Sequence, residues 1–465
     1  METLETTIAD VVVIGAGLTG LTTAYALKHK GIAVRVVEKS DKIGGQIQTH
    51  TEGGFTFESG PNTGSISVPE VTELMEELEK TSNGECVLET APDAAKRRLI
   101  WKGDKFHDLP SGPIGGLTTP LFSLKDKFRI LGEPWRKKGT DPDESVGALT
   151  RRRLGQSFYE YAVDPFLSGV YAGDPDKLVT RYALPKLYNL EQNYGSFIGG
   201  AMKKAKEPKS DRDKKATKKV FSAKGGLHHI PQAEAEYIGK ENIILNANGV
   251  TIQPQGEGWL TTYIDKAGEK HCIESKKVVT TCGAYALPAL LPFIPAERMN
   301  KIANLKYAPI MEVSVGVNDT LGGDYYAFGA LVPTKEKKKV LGILFPGACF
   351  TQRAPKQGML FSFFIAGVKH PEMLKMSDAE IEALVDDVFH DMLKFPKEAK
   401  PDLVKIFRHE HAIPQYEASS GDRFEEVEKL QNEYNGLILA GNLRDGIGMA
   451  HRIKQAMDVA NAIKN

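Results

Sequence analysis

Three glycines near the N terminus have the spacing that binds the phosphates of a dinucleotide. They lie in the string GAGLTG at positions 15–20, between a short Val/Ile run and a helical pattern. Such glycines permit a tight turn, close approach of the backbone to a pyrophosphate and close helix–strand packing, beside a positive helix N terminus. Glu38, 18 positions beyond Gly20, is placed to accept hydrogen bonds from an adenosine ribose. The dinucleotide-binding residues predicted here are Gly15, Gly17, Leu18, Thr19, Gly20, Glu38 and Lys39.

The elements that position this turn form a βαβ unit followed by a glycine doublet. The hydrophobic pattern predicts a strand over 10–14, a helix over 18–30 and a strand over 33–37. Gly44 and Gly45 then follow, and open backbone recurs at Gly60, Pro61 and Asn62. The doublet resembles the pattern shared by amine oxidases, carotenoid desaturases, protoporphyrinogen oxidases and the non-enzymatic GDP-dissociation inhibitors. The resemblance selects FAD over NAD, with the main chain lying against the extended cofactor and its flavin ring.

A second strand–turn–helix unit at the C terminus is predicted to complete the same site. It comprises a strand over 437–440, a polar glycine turn and a helix from about His451. Backbone N–H groups there would face the flavin and stabilise negative charge on its reduced form. Asp445 either contacts the ribityl chain or caps the helix, and Val250 either meets the adenine or is a plain strand valine. The cofactor-binding residues predicted in this unit are Gly441, Asn442, Gly446, Ile447 and Gly448.

Several strings across the chain resemble the protoporphyrinogen oxidases of plant-plastid and bacterial type. The most specific is FLSGVYAGDP at 166–175, continued by LYNLEQNYGSFIGG at 187–200. Further similar strings are FSAKGG at 221–226, YAFGALVP at 326–333 and AIPQY at 412–416. They follow the family's order over essentially the whole chain. The chain departs from the pattern after AIPQY, where residues 417–422 replace a glycine–histidine pair, so no role is assigned to a histidine there.

The resemblance implies a large apolar site for a tetrapyrrole. In the family, a reactive methylene bridge lies over the flavin between apolar clamps and a backbone carbonyl of SGVYAG. An arginine pairs with a substrate propionate; it corresponds to Arg98, and the adjacent Arg97 could compete for this role. From the sequence alone, an arginine before an apolar strand is more often a surface cation. The substrate-binding residues implied by the resemblance are Arg98, Gly169, Leu331, Leu344 and Phe364.

The reaction that the resemblance implies needs no acid–base constellation, and no catalytic residue is predicted. Oxidised flavin takes a hydride from a porphyrinogen methylene at N5, and a pyrrole N–H proton is then lost. Repeated rounds convert protoporphyrinogen IX to protoporphyrin IX, while molecular oxygen reoxidises the flavin and becomes hydrogen peroxide. The chain then has to position a large apolar disc and its carboxylates.

The composition argues against a nucleic-acid partner, a metal site and a disulfide framework. Lys plus Arg and Asp plus Glu both number 60, so no net field attracts nucleic acid. The four cysteines form no CxxC pair, which is typical of a reducing compartment. The first ten residues resemble no signal or transit peptide, and no stretch approaches the ~18 apolar residues of a membrane span. The sequence therefore predicts a cytoplasmic protein.

A basic amphipathic helix is predicted around residues 121–135. Leu121, Leu124, Phe128, Leu131 and Trp135 recur at helical spacing among lysines and arginines. Such a helix can lie on anionic lipid, or it can pack on the domain core with its lysines in solvent. Family members are often membrane-associated, which favours peripheral attachment to the cytoplasmic face of a membrane, with hand-off of the product to ferrochelatase.

Three other functions are alternatives to protoporphyrinogen oxidation. Close relatives oxidise coproporphyrinogen III by the same chemistry, and its four propionates would require additional cations. Amine oxidases commonly place a lysine near the flavin N5, whereas the corresponding strand here reads APIMEV at 308–313. Some amine oxidases also tether the flavin through a C-terminal cysteine, and here no cysteine follows Cys349. A GDP-dissociation inhibitor should lack the intact phosphate turn, so the glycines and Glu38 count against that escort function.

The predicted fold class is α/β, with an amine-oxidase-like architecture. It combines a discontinuous Rossmann-type FAD-binding domain, a sheet-containing substrate domain and a mainly helical part with the expected membrane face. A helix over 377–393 is predicted from its apolar periodicity and from Ser377 as its cap. The predicted ranges are 1–80, 221–295 and 421–465 for the FAD domain, 95–205 for the helical part, 81–94 and 296–420 for the substrate domain, and 202–219 for a basic loop.

Overall fold

Two seven-stranded sheets form the framework of the chain. The computed structural model describes residues 6–110 and 112–464. The strands are β1 (Thr6–Ile14), β2 (Val34–Val37), β3 (Thr49–Glu52), β4 (Phe55–Glu58), β5 (Gly64–Ser65), β6 (Leu88–Thr90), β7 (Arg98–Lys102), β8 (Lys105–Asp108), β9 (Val220–Ala223), β10 (Ile243–Ile244), β11 (Asn248–Gln255), β12 (Gly258–Ile264), β13 (Lys270–Thr280), β14 (Tyr307–Val317), β15 (Gly329–Leu331), β16 (Gly342–Leu344), β17 (Met359–Ala366), β18 (Leu403–Pro414) and β19 (Leu437–Leu439).

The helices flank these sheets and also form a continuous helical stretch in the middle of the chain. They are α1 (Leu18–His29), α2 (Pro69–Thr81), α3 (Gly112–Thr118), α4 (Leu124–Leu131), α5 (Val146–Arg153), α6 (Gln156–Phe158), α7 (Asp164–Tyr171), α8 (Thr180–Ala183), α9 (Pro185–Tyr194), α10 (Phe197–Lys204), α11 (Asp211–Lys214), α12 (His229–Ile238), α13 (Leu287–Leu290), α14 (Ala296–Ala303), α15 (Pro346–Cys349), α16 (Asp378–Asp387), α17 (Ser420–Glu433) and α18 (Met449–Ala462). None of them, within the described ranges, has the length and apolarity that crossing a bilayer requires.

The first sheet has the order β10–β2–β1–β13–β12–β11, with β19 also paired to β13. Its β10, β2, β1, β13 and β19 pairings are parallel. The last four residues of β1, Val11 to Ile14, are an uninterrupted Val/Ile run that is buried on both faces, as a parallel strand covered by helices requires. Helices α1, α2, α12 and α18 contribute to the core that covers one face. The predicted βαβ unit and the C-terminal strand and helix are confirmed to within a few residues.

The second sheet has the order β18–β14–β17–β16–β15–β7–β8 and presents two different faces. One face carries Met311, Val313 and Phe363, which pack in a closed core with α16. Helix α16 begins at the predicted cap, where Ser377 and Glu380 form a reciprocal capping box. The opposite face contacts the separate two-stranded sheet of β3 and β4, where Ser314 Oγ lies 3.5 Å from Glu58 O.

The prediction that residues 95–205 are mainly helical is wrong for 98–108. These residues form β7 and β8, a hairpin whose turn contains Gly103 at φ +68°. The buried residues Leu99 and Ile100 also pair in parallel with β15, which lies far away in the chain. The remainder of the segment, from α3 to α10, is helical.

The predicted apolar stripe over 121–135 divides into a buried and an exposed part. Leu121 is fully buried against Ile100 and Tyr161, so the prediction that it belongs to the same helix as the other four residues is wrong. The reason is that the chain turns before α4, at the N-cap Ser123, and only the residues beyond that cap follow the helix. Leu124, Phe128, Leu131 and Trp135 are exposed by 58–84%.

Candidate cofactor and substrate site

The N-terminal glycine turn is built for close backbone approach. Gly15 has φ +102° and donates its N–H to Val37 O at 2.8 Å, which joins the turn to β2. A Cβ on Gly20 would lie 1.9 Å from Gly15 O, so α1 packs directly on the turn only because this residue is glycine. Leu18 and Thr19 are buried in the first turn of α1.

The N terminus of α1 is open to an anionic ligand. Its N-cap is Gly17, which provides no side-chain cap, and a Cβ there would meet nothing within 4 Å. No side chain caps the first N–H groups of the helix, so they remain available to a phosphate. Glu38 is held at this turn because its carboxylate accepts from Ala16 N at 2.7 Å and Ser40 N at 2.8 Å. The neighbouring Lys39 is exposed.

The glycine doublet lies against the same turn. Gly44 donates its N–H to Ala16 O at 2.8 Å, and a Cβ on Gly45 would lie 3.2 Å from Gly17 Cα. Gly60 packs on the chain just after the doublet, with its Cβ position 2.1 Å from Gln46 O. The structure thus brings the turn, the doublet and the segment starting at Gly60 into one continuous backbone surface.

The C-terminal turn is the second helix N terminus of this site. Helix α18 follows the N-cap Gly448 without a side-chain cap, so Asp445 does not cap it; Asp445 instead accepts from Gln455 Nε2 at 2.7 Å. Gln455 Oε1 also accepts from Gly441 N at 2.8 Å. Helices α1 and α18 pack against each other, so both open N termini belong to one half of the molecule.

Two residues that support this turn were missed by the sequence analysis. The Tyr416 hydroxyl lies 3.1 Å from Asn442 O and accepts from Gly446 N at 3.1 Å. Arg452 is buried and donates to Gln455 Oε1 and to Arg444 O. Tyr416 belongs to the string AIPQY, but nothing in the sequence indicates that its hydroxyl reaches the C-terminal turn.

Buried polar atoms without partners also indicate that this half fits an anionic dinucleotide. His451 Nδ1 and Arg452 Nε, both in the first turn of α18, are buried without a hydrogen-bond partner among the described residues. Such groups are costly unless a ligand or water satisfies them. Together with the two uncapped helices, they supply donors and positive charge where pyrophosphate and a reduced flavin need them. Val250 is half-buried on β11, and its contact with an adenine stays a prediction.

The predicted apolar clamps share one face of the second sheet. Leu331 pairs with Gly342, and Gly342 in turn pairs with Phe364, so these residues form one row across three strands. Leu344 lies two residues beyond Gly342 and therefore projects to the same face. The three apolar side chains are only half-buried, whereas Ile343 between them is buried on the opposite face. An open apolar surface therefore stands where the resemblance implies a substrate.

Gly169 brings helix α7 onto this surface. A Cβ on Gly169 would lie 2.4 Å from Leu331 Cδ2, so the helix backbone contacts the clamp directly. The end of α7 is tied to the same sheet, since Val368 N donates to Ala172 O at 2.8 Å. The helix and sheet together form two walls of the candidate substrate chamber.

The structure distinguishes the two adjacent arginines. Arg97 pairs with Asp108 at 2.9 Å and with Asp324 at 3.3 Å. Arg98 is exposed, has no ion pair among the described residues, and lies over the Phe328 ring at 5.3 Å. It pairs with Gly329, which also pairs with Leu344, so its side chain belongs to the clamp face. Arg98 is thus the member of the pair that is available to a substrate carboxylate.

A buried acid, Glu312, lies at the inner end of the clamp row. It pairs with Phe364 across β14 and β17 and is 1% exposed. Asn62 Nδ2 donates to its Oε1 at 2.5 Å, and Ser362 Oγ donates to Asn62 Oδ1 at 2.7 Å. Burial raises the pKa of Glu312 well above its usual range, and the charge of Glu58 raises it further, against the opposing hydrogen bond from Asn62. The sequence analysis assigned no role to this residue.

Comparisons with known proteins agree with this geometry. The family model for flavin containing amine oxidoreductases matches residues 18–463. Chloroplastic protoporphyrinogen oxidase 1 of Arabidopsis thaliana is 30% identical over 98% of this chain and 88% of its own length. Coproporphyrinogen III oxidase of Bacillus subtilis is 25% identical over 96% of both chains.

Solved structures show the same fold. A structure from Exiguobacterium sp., provisionally assigned as a protoporphyrinogen oxidase, has a TM-score of 0.79 at 20% identity and covers 99% of both chains. A triple variant of putrescine oxidase has a TM-score of 0.69 at 15% identity and covers 98% of this chain and 99% of its own. The predicted amine-oxidase-like α/β architecture and the FAD cofactor are confirmed. The chain belongs to the flavin containing amine oxidoreductases and, within that family, to the FAD-dependent porphyrinogen oxidases.

Proposed function

We propose that this chain oxidises protoporphyrinogen IX to protoporphyrin IX with FAD and molecular oxygen, releasing hydrogen peroxide. The observation that carries the proposal is the half-exposed apolar face formed by Leu331, Leu344 and Phe364, with Arg98 on the same face and without an ion pair to any described residue. A porphyrinogen is a large apolar disc with carboxylates at one edge, which matches such a surface. Relatives named protoporphyrinogen oxidase match nearly the whole chain at 28–30% identity.

Each part of the chain has a separate task in this reaction. Bound FAD supplies the acceptor for the hydride that leaves the porphyrinogen methylene. The open N termini of α1 and α18, with Glu38, hold the cofactor. The clamp face and the backbone at Gly169 hold the disc and exclude water. Arg98 binds a propionate and fixes the rotation of the disc in its plane.

Coproporphyrinogen III is the second candidate substrate, because the Bacillus subtilis relative is named for its oxidation. The chemistry of the methylene bridges is the same in both cases. A tetrapropionate would have to bring two further carboxylates into the chamber, and each would need a cation or a path to solvent. Because the three clamp side chains are apolar, we expect the dipropionate to be the better substrate.

The test is a direct comparison of the two porphyrinogens on the purified protein. We expect a yellow protein whose visible spectrum shows bound oxidised flavin and which forms fluorescent porphyrin faster from protoporphyrinogen IX. A faster rate with coproporphyrinogen III would leave the proposed mechanism unchanged but would identify coproporphyrinogen III as the preferred substrate. A flavin-loaded protein inert toward both would overturn the proposal.

We also propose that the exposed apolar residues of α4 and its surroundings attach the enzyme to the surface of an anionic membrane. The apolar patch comprises Leu124, Phe128, Leu131, Trp135, Ile198 and Met202. Lysines at 125 and 127 flank it. Apolar side chains framed by lysines match a lipid surface with anionic headgroups. The patch lies on the helical part that also provides α7, so a hydrophobic product could pass between chamber, membrane and ferrochelatase.

Binding to vesicles tests this attachment. We expect sedimentation with vesicles that contain anionic lipid, and weaker binding at high salt. Phe128→Ser with Trp135→Ser should abolish binding without changing turnover of a detergent-dispersed porphyrinogen. Equal binding of the double variant would show that another surface carries the contact.

A further inference from the structure

Glu312 is a buried carboxyl group for which stability gives no reason. Its side chain is 1% exposed and no lysine or arginine pairs with it among the described residues. A buried acid without a cation is costly, and an apolar residue of similar size would be more stable in such a place. The strand itself would accept one, since Met311 and Val313 on either side are buried apolar residues.

The position of Glu312 places it at the border between the substrate and cofactor surfaces. It shares a face with Phe364 and Leu331 of the clamp, and Asn62 connects it to the Gly60–Asn62 segment on which the flavin ring is predicted to lie. Asn62 is itself fixed from the sheet by Ser362. The carboxyl group is therefore held by Asn62, which Ser362 fixes in turn, between the surfaces where the reaction would occur.

The two oxygens of this carboxyl group have different environments. Oε1 accepts the hydrogen bond from Asn62, but no hydrogen bond among the described residues reaches Oε2. Because Oε1 is an acceptor, the proton of the neutral acid resides on Oε2. Oε2 is therefore an O–H group whose proton has no protein acceptor among the described residues, and it remains available to a reactant.

Other ionisable groups around Glu312 are already engaged. Glu58 pairs with Arg353 at 2.9 Å, both nearly fully buried. His409 on β18 contacts Ser59 O at 2.7 Å, and His50 on β3 contacts Ser59 Oγ at 2.9 Å. Burial lowers the pKa of both histidines, so they are neutral above neutral pH and do not supply protons there.

We propose that the Glu312 carboxyl group is the proton donor for the reduction of dioxygen in this site; the inference rests on the proposed oxidase function. In this step the Glu312 O–H bond breaks, and its proton joins the two electrons and one proton that reduced FAD gives to dioxygen. The products are oxidised FAD, hydrogen peroxide and the Glu312 carboxylate. The carboxylate then takes up the proton that a pyrrole N–H releases in the next round, or a solvent proton after the last.

The decisive experiment separates reoxidation from porphyrinogen oxidation. The flavin of the holoenzyme is photoreduced without any porphyrinogen and then mixed with oxygenated buffer, and its absorbance is followed. Glu312→Gln should slow reoxidation on the order of 10²-fold, the usual contribution of a positioned acid. If the enzyme does not oxidise protoporphyrinogen IX, this result is unaffected, because no porphyrinogen takes part in the measurement.

Glu234→Gln is the matched control. Glu234 is also a fully buried acid with a raised pKa, but it lies between α1 and α12 and bonds to Thr22. Its replacement should leave reoxidation unchanged. A loss of similar size in both variants would point to general loosening of the fold and would overturn the specific role of Glu312.

Two measurements keep the proposal testable if Glu312→Gln binds flavin poorly. Reoxidation of the unaltered holoenzyme should slow as pH rises through the raised pKa of Glu312, as the acid is lost, and a profile that stays flat into the alkaline range would overturn the proposal. The infrared spectrum at neutral pH should show protonated-carboxyl C=O absorption that is weaker in the Glu312→Asn variant, in which only the contribution of Glu234 remains. Identical spectra would mean that Glu312 is ionised and cannot be the donor.

Discussion

Arg153 donates from Nε to the Glu133 carboxylate over 2.6 Å, and both side chains are fully buried. Glu133 also accepts from the N–H groups of Phe197 and Ile198, at the start of α10. A second acid, Glu191 on α9, accepts from Arg153 at 2.5 Å. This ionic cluster joins α5, α9, α10 and the segment that ends at Trp135, and it therefore fixes the base of the apolar patch.

Replacing one member of this cluster should destabilise the helical part strongly. Glu133→Gln leaves Arg153 with less charge to neutralise it and weakens the capping of α10, so we expect a loss of about 3–5 kcal/mol in the free energy of unfolding. Chemical denaturation measures the change. The double variant Glu133→Leu with Arg153→Met should lose less free energy of unfolding than Glu133→Leu alone or Arg153→Met alone. A small loss in Glu133→Gln would show that Glu191 alone satisfies the arginine.

Gly169→Ala should obstruct the substrate chamber while leaving FAD bound. The new Cβ would lie 2.4 Å from Leu331 Cδ2, and accommodating it costs about 1–3 kcal/mol. We expect kcat/KM for protoporphyrinogen to fall about tenfold or more with an unchanged flavin spectrum. Gly116→Ala in helix α3 is the control, because a Cβ there would contact no described residue within 4 Å. Equal turnover of both variants would show that the substrate does not bind beside Gly169 and Leu331.

The two adjacent arginines should differ in their effect on KM. Arg98→Ala removes the unpaired guanidinium on the clamp face, and we expect KM for protoporphyrinogen to rise about tenfold, corresponding to ~1.4 kcal/mol. Arg97→Ala removes only exposed ion pairs with Asp108 and Asp324, which contribute little. Steady-state kinetics with both variants measures the difference. A larger increase in KM for Arg97→Ala than for Arg98→Ala would show that Arg97 is the residue that binds the propionate.

Glu234 should make the stability of the protein depend on pH. Its Oε2 is buried and has no hydrogen-bond partner in the described part of the chain, and burial raises the pKa of Glu234 to about 8. The unfolded carboxyl ionises at its lower pKa, so the folded state loses stability relative to the unfolded state as pH rises from about 4.5 to 8. The loss is on the order of 1.4 kcal/mol per pH unit.

Denaturation of the unaltered protein and of Glu234→Gln at several pH values tests this dependence. Because glutamine does not ionise, the free energy of unfolding of the unaltered protein should fall relative to that of Glu234→Gln through that window. Above the window, the relative value should stay constant. A constant difference would mean that Glu234 is ionised in the folded protein throughout.

Local patterns in the sequence were enough to predict the N-terminal βαβ unit and the C-terminal strand and helix. Gly15, Gly17 and Gly20 act within one turn, so their spacing alone carries the geometry. Glu312 is different, since its hydrogen-bond partner Asn62 is 250 residues away, and Ser362, which anchors Asn62, is 300 residues from it. No local pattern could indicate that this acid is buried beside the clamp.

The errors in the helical segment have the same physical origin. Arg98 to Trp101 form a strand because β15 offers a free edge, and the sequence does not reveal this partner. Leu121 fits the helical spacing of the exposed stripe, yet it is buried because the helix starts after it, at Ser123. In both cases tertiary contacts override a local periodicity.

The chain enters each sheet more than once. Residues 6–37, 243–280 and 437–439 build the first sheet, and residues 98–108 and 307–414 build the second. Neither sheet can therefore be produced as an independent fragment by cutting the chain once. A protease cut in the exposed segment 205–210 would leave two pieces that each hold strands of both sheets. Such halves, expressed together, should reassemble into a nicked yellow protein, which would make this segment a suitable site for splitting the enzyme into a complementation pair.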